Sequence, residues 1–124
     1  VENALNGTPL RLEGGGWGRL DFTHIDDLVE GIARSLALPG GINRTFNITF
    51  GNSRTIADLA AIIKSIIPNV KLLEAPAALE KPKRGTLLTN RAKEHLGFSP
   101  SRPIDTYYGE YCQWYLEQWQ SVKK

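Results

Sequence analysis

The side chains with chemical potential gather between residues 14 and 32. Gly14-Gly15-Gly16-Trp17-Gly18 runs into Asp21, His24 and the pair Asp26-Asp27, in the order loop, strand, cap, helix. That order is the layout of an α/β ligand site. Glycines permit positive φ and close backbone approach, so a phosphate cradle is one reading. A P-loop, however, ends in Gly-Lys-Ser/Thr and opens a helix, and neither follows here. The dinucleotide fingerprint is missing too, because Arg19 stands where its last glycine belongs and no strong strand precedes the cluster. A plain turn between strands therefore outweighs a ligand-lining loop. Asp26 and Asp27 suit an N-cap and a first-turn acid on the helix dipole better than a metal pair.

Other reactive types are scattered. His24 and His95 lie on different elements, without a Cys or acid at metal-ligand spacing. There is no Gly-x-Ser-x-Gly elbow. Cys112, the single cysteine, sits among aromatics at helical spacing, where a packed thiol is expected rather than a nucleophile. It excludes an internal disulfide and fits a reducing, cytoplasmic setting. Lys81-Pro82-Lys83-Arg84-Gly85 is the most basic stretch. It reads as a solvated loop, or as an anion contact by Arg84, whose planar fork suits a phosphate.

The elements that must position these groups follow from periodicity. Val1 to Gly7 looks like the end of a helix closing on a glycine, and Leu10 to Glu13 like a short strand. Leu20 to Ile25 is expected as a second strand. A helix capped by Asp26 or Asp27 follows, with Leu28, Val29, Ile32, Ala33 and Leu36 on one stripe, ended by Pro39-Gly40-Gly41. Thr45 to Phe50 is the strongest strand by composition. Thr55-Ile56-Ala57-Asp58 is a capping-box variant opening a helix with Ile56, Leu59, Ala60, Ile63, Ile66 and Ile67 inward, stopped by Pro68. Val70 to Leu73 reads as an edge strand. Asn90 caps a short helix, 91 to 96, ended by Gly97. The last helix, 103 to 119, is apolar over too wide a sector for one stripe, which points to a partner surface.

These elements make an α/β (α+β) fold, a small mixed sheet with three main helices, in a single domain over 1–124. Net charge is only +2, from 15 basic and 13 acidic residues, so no nucleic-acid partner is expected. No apolar run approaches the roughly 18 residues of a membrane span, so no membrane partner is expected either. The chain has no Met and starts at Val1 in what looks like a helix end, which leads us to expect a piece of something longer.

Read together, several segments resemble the C-terminal half of the extended short-chain dehydrogenase/reductases, the NAD-dependent nucleotide-sugar epimerase and dehydratase family. Asn3 to Leu10 is similar to its helix end, turn and strand. Asp21-Phe22-Thr23-His24-Ile25-Asp26-Asp27 is similar to its Arg-Asp-Phe-x-Tyr-Val-x-Asp segment. Phe46-Asn47-Ile48-Thr49, Gly51 and Thr55 to Ala60 match its Tyr-Asn-Ile-Gly strand and following helix. Arg84-Gly85 with Asn90 to Phe98 resembles its Arg-Gly and Ser-Lys-Ala-Lys-x-x-Leu-Gly-Trp segments, and Gln113-Trp114-Tyr115 its terminal helix.

The resemblance implies a substrate-binding domain of an isomerase-type nucleotide-sugar enzyme, a fragment without its N-terminal dinucleotide-binding domain. In that family the N-terminal half carries the NAD fingerprint and a Tyr-x-x-x-Lys catalytic pair, and this chain has neither. Alone it is expected to have no catalytic residue, bind no cofactor and transfer no hydride, NAD being implied for the intact family. The implied substrate-side residues are Arg84, Arg19, Leu12 and Glu13. The family arginine before Asp-Phe is here Leu20, with Arg19 one residue earlier, and the place of the base-stacking aromatic is Glu13. The resemblance therefore supports a sugar-like substrate with an anionic group on Arg84, and extends less well to a uridine or thymidine diphosphate. The implied partner is the missing half or a second copy. The other reading is a free-standing assembly module that oligomerises through its aromatic C-terminal helix.

Overall fold

The computed structural model describes residues 1–77 and 82–122. Lys81, part of the basic stretch, lies outside the described residues. α1 (Glu2–Leu5) is a single turn that closes on Asn6 and Gly7. Gly7 takes φ +73°, the left-handed conformation that lets its N–H reach back to the Ala4 carbonyl. β1 (Leu10–Glu13) follows, then a tight turn over Gly14–Gly16 and β2 (Arg19–Leu20). α2 (Ile25–Ala37) ends on a second tight turn at Pro39–Gly41. β3 (Arg54–Thr55) leads straight into α3 (Ile56–Ile66), and β4 (Leu72–Ala75) follows. α4 (Asn90–Leu96) and α5 (Ile104–Val122) complete the chain.

The fold is mixed α/β with three long helices, and its strands form two separate pairs. β1 runs parallel to β4, Leu10 opposite Leu72 through Glu13 opposite Ala75. Parallel strands need a long crossover, and α3 lies within it, packed against β1 and α5. β2 and β3 are antiparallel, Arg19 opposite Thr55. Among the described residues no helix is long and apolar enough to cross a membrane.

Two small cores hold these elements. Ala4, Ile63, Val70 and Cys112 form the first, with Leu10, Ile66, Ile67 and Tyr108 against it. Cys112 is fully buried, as the sequence suggested, and burial pushes its thiol up and the Tyr108 hydroxyl to about 12. Ala92, Leu96 and Phe98 form the second, with Phe46 and Ile48 against it. Gly97 stops α4 at φ +59°. A bidentate ion pair, Arg54 to Asp105, ties β3 to α5.

The capping box is present. The Asp58 N–H donates to Thr55 Oγ1 at 3.0 Å, and the Thr55 N–H donates to Asp58 Oδ2 at 2.8 Å. The backbone and hydroxyl of Thr55 hold the Asp58 carboxyl below its ordinary 3.8. A group lowered in this way stabilises the fold above its unfolded pKa, and that contribution disappears as pH falls through the lower folded value. Thr55→Ala is expected to cost about 1 kcal/mol in urea unfolding at pH 7. The deficit should shrink below pH 4; a deficit that grows there would contradict the assignment.

Several expectations are corrected. The strand over Leu20 to Ile25 is only Arg19–Leu20, because His24, not Asp26 or Asp27, caps α2. His24 has extended φ and ψ, and its Nδ1 accepts the Asp26 N–H at 3.2 Å. Thr45 to Phe50 has a strand's composition but joins no ladder, since no other strand of the described chain lies beside it. β4 begins two residues later than Val70, which is buried in the first core instead. Thr89 rather than Asn90 precedes α4, without a side-chain cap, and α5 starts after Pro103 and runs on to Val122.

The largest correction concerns α2. Of its expected stripe, Val29, Ile32 and Leu36 face outward, and Ile25 joins them. The helix is held by its other face. Gly31 lies so close to Ile48 and Phe98 that a methyl group there would collide with Ile48 Cγ2. Arg34 Nη1 donates to the Leu96 and Gly97 carbonyls at 3.1 and 3.4 Å, meeting the C-terminal end of α4. Polar and glycine contacts fix α2, and its apolar residues are left over.

Candidate functional site

The glycine turn, the Ser53 loop and the 84–88 strap meet at one end of β2. Gly14, Gly15 and Gly16 all take positive φ, between 58° and 74°. What they approach is their own chain. A Cβ on Gly16 would stand 3.0 Å from the Ala57 nitrogen, at the start of α3, and one on Gly14 would stand 3.1 Å from Ala77 Cβ. The Ile56 N–H donates to the Gly18 carbonyl at 3.0 Å. The close approach that suggested a ligand-lining loop is thus used to seat the turn against α3.

Arg19, itself exposed, is tied into a part-buried polar junction. Its Nε donates to Ser53 Oγ at 3.0 Å and its Nη2 to the Ser53 carbonyl at 2.6 Å. Ser53 is fully buried. Its N–H donates to Thr86 Oγ1, whose hydroxyl donates back to Ser53 Oγ at 2.8 Å. Asp21 makes a second junction beside it. Its carboxylate accepts from Thr49 Oγ1, the Gly51 N–H and the Leu87 N–H, each at 3.1 Å. A carboxylate accepting from two chain segments at once fixes their spacing, and here it fixes the 49–51 loop and the strap.

Arg84 stands two residues before Thr86 on that strap and is exposed. Among the described residues it has no hydrogen-bond or ion-pair partner, unlike Arg19. Among the described residues it and the neighbouring exposed Lys83 are cations left available on the strap. Leu12 is buried in the layer between β1 and α3, lining an open apolar hollow of about 420 Å³ with Leu10, Leu59 and Ile63. Glu13 is exposed at the end of β1, directly before the glycine turn. Of the four substrate-side residues expected, Arg19 and Arg84 are linked through Ser53 and Thr86. Leu12 is packing between β1 and α3, and Glu13 ends β1 before the turn.

Sequence reasoning missed Ser53 and Thr86, ordinary hydroxyl residues whose meeting joins positions 33 apart. Asp27 is the first-turn acid expected, but it does more than face the helix dipole. That carboxylate is fully buried and accepts from the Ser101 and Arg102 N–H groups, at 3.3 and 3.0 Å, and from Arg102 Nη1 at 2.8 Å. The His24 ring lies 4.8 Å from that of Tyr107. No group of three or more His, Cys, Asp or Glu among the described residues could hold a metal ion. The site offers one unengaged guanidinium on a firmly anchored strap, suited to gripping an anion.

No family model matches the chain. Among curated proteins it is similar to UDP-glucuronic acid decarboxylase 4 of Arabidopsis thaliana, 32% identical over 81% of this chain and 22% of the relative. UDP-glucuronic acid decarboxylase 1 of Danio rerio is 26% identical over 95% of this chain and 28% of its own length. Among solved structures, an epimerase of Methanothermobacter thermautotrophicus overlays 98% of this chain and 37% of its own, with TM-score 0.84 and 21% identity. The Bordetella bronchiseptica enzyme WbmF, solved in complex with NAD+ and UDP, overlays 98% of this chain and 36% of its own, with TM-score 0.72 and 30% identity. The chain spans about a fifth to two-fifths of the length of these proteins.

Proposed function

We propose, from the distant homology of most of this chain to NAD-dependent nucleotide-sugar epimerases, dehydratases and decarboxylases, that it is the substrate-side portion of such an enzyme. The observation that carries the reading is Arg84, exposed and unengaged on a strap that Asp21 and Ser53 hold in place. A guanidinium can take two phosphate or carboxylate oxygens at once, and the anchored strap lowers the entropy lost in doing so. The ligand class is a sugar with an anionic group, such as a nucleotide sugar. The same reading expects a cytoplasmic protein.

In this reading no NAD site is placed on this chain. The glycine turn is backed against Ala57 and Ala77. No tyrosine is followed by lysine four residues on. The cofactor and the hydride chemistry belong in this reading to a separate dinucleotide-binding part, and the chain alone is not catalytic.

Calorimetric titration tests this. UDP-glucuronic acid is expected to bind the chain weakly, and Arg84→Gln to weaken it about tenfold, the loss of one charge-assisted contact. NAD is expected not to bind. Tight NAD binding, or sugar-nucleotide binding indifferent to Arg84, would overturn the proposal. The assembly-module reading rests on α5, where Tyr111 and Trp114 are 46% and 54% exposed and stack at 6.0 Å. A monomer by sedimentation at 100 μM, on the order of a weak dimer's Kd, would dispose of it.

A further inference from the structure

Trp17 is the large side chain at the site that packing does not account for. It is 76% exposed, more than Tyr111 or Trp114 on α5. Its indole is nevertheless placed. A Cβ on Gly15 would stand 2.9 Å from Trp17 Nε1 and 3.0 Å from its Cδ1, so the pyrrole edge of the ring rests on the Gly15 backbone. Gly15 takes φ +69° and has no side chain, and the ring needs that bare backbone to lie where it does. Every other residue from 14 to 18 is glycine, so the turn carries no side chain that could shade the outside of the indole. A Cβ on Gly18 would meet nothing within 4 Å, which leaves open space beside it. Single exposed apolar residues are ordinary on a protein surface. An indole set against a glycine backbone with its outside clear is a stacking surface already in position.

Its surroundings indicate what it takes. Trp17 stands two residues before Arg19, and Arg84 two residues before Thr86. Arg19 Nε and the Thr86 hydroxyl both donate to Ser53 Oγ, at 3.0 and 2.8 Å. A two-residue step spans at most about 7 Å, so the ring and the exposed guanidinium each lie one short step from the same junction. We infer that Trp17 is a specificity-determining residue of this site, stacking the nucleobase of a ligand whose anionic group Arg84 holds. A nucleobase offers a flat π-face, and stacking on an aromatic side chain requires no hydrogen-bond readout of its edge. The selection is therefore for a base-bearing ligand over the bare sugar phosphate, without discrimination among bases. The inference rests on the proposed function for Arg84 and the anionic group. The stacking itself rests on Trp17 and Gly15.

The test is calorimetric titration of the whole chain with UDP-glucuronic acid, UDP and glucuronic acid 1-phosphate. Trp17→Ala is expected to weaken the two uridine ligands about tenfold, the scale of one lost stacking contact. It should leave glucuronic acid 1-phosphate within about twofold of the parent. Trp17→Phe should restore most of the uridine affinity. UDP should also change the tryptophan emission of the parent, and Trp17→Phe should remove that change while still binding. The ring is exposed, so Trp17→Ala should keep the melting temperature within about 3 °C. Equal losses for UDP-glucuronic acid and the sugar phosphate overturn the inference. So does a fall in melting temperature with the affinities unchanged, which makes the ring a cover for the turn. The two readings fail separately. Binding that depends on Trp17 and is indifferent to Arg84→Gln counts against the proposed function alone. Binding that depends on Arg84 and is indifferent to Trp17→Ala counts against the stacking alone. A folded chain that binds none of the three ligands overturns both.

Discussion

Asp27→Ala is expected to lower the unfolding free energy by about 3 kcal/mol, the cost of leaving buried donors without their acceptor. Asp27 is fully buried on the inner face of α2 and accepts three hydrogen bonds from a segment about 75 residues further on. Two of the donors are main-chain N–H groups at Ser101 and Arg102, in the turn that leads into α5. Alanine removes every acceptor at once. Urea unfolding should show a lower midpoint with the slope unchanged, and thermal unfolding a fall of roughly 10 °C for a chain of this size. Asn in place of Asp keeps one acceptor and should recover part of the loss. A variant within 1 kcal/mol of the parent would mean that the buried carboxylate does not hold the α4–α5 connection.

Gly31→Val is expected to cost about 2–3 kcal/mol from overpacking, offset only slightly by the better helix propensity of valine than of glycine. The position is helical and carries no unusual φ, so only space makes it glycine: Ile48 and Phe98 occupy the place of a side chain. Shortening Ile48 should relieve the clash. In a double-mutant cycle, Gly31→Val with Ile48→Ala should be more stable than the sum of the single changes by about 1 kcal/mol. Strict additivity would show that α2 does not cross the 44–49 segment at this point.

What the sequence revealed, and what it hid, divides by range. The Thr55–Asp58 box and the Gly97 stop involve neighbours within a turn, and both were legible. Residues 45–50 were legible as a strand by composition, but a strand also needs a partner, and composition does not name one. The spacing of Val29, Ile32 and Leu36 correctly gave an amphipathic helix. It carried no sign of which face turns inward, because that was settled by Asp27, Gly31 and Arg34 meeting groups some 17 to 75 residues away. At the site, Arg84 was legible as an exposed cation of the basic stretch. The engagement of Arg19 was not, since it depends on Ser53 and Thr86 meeting across the loop. The family resemblance survived these misreadings because it rested on the order of short motifs rather than on any one of them.

The parallel pairing of β1 with β4 also sets an order in time. Its partners, Leu10 with Leu72 onward, are roughly sixty residues apart, so the loop must close before any of their contacts forms. α3, whose contacts are local and whose cap is built in, can form first and shorten the effective span. The pairing of β1 then waits on α3, and the Cys112 core, to which α1 supplies Ala4 and α5 the cysteine, is assembled last from both ends of the chain. The core of Ala92, Leu96 and Phe98 closes a shorter loop from Phe46 and does not wait. The slow event in folding is therefore the return of the N-terminal strand.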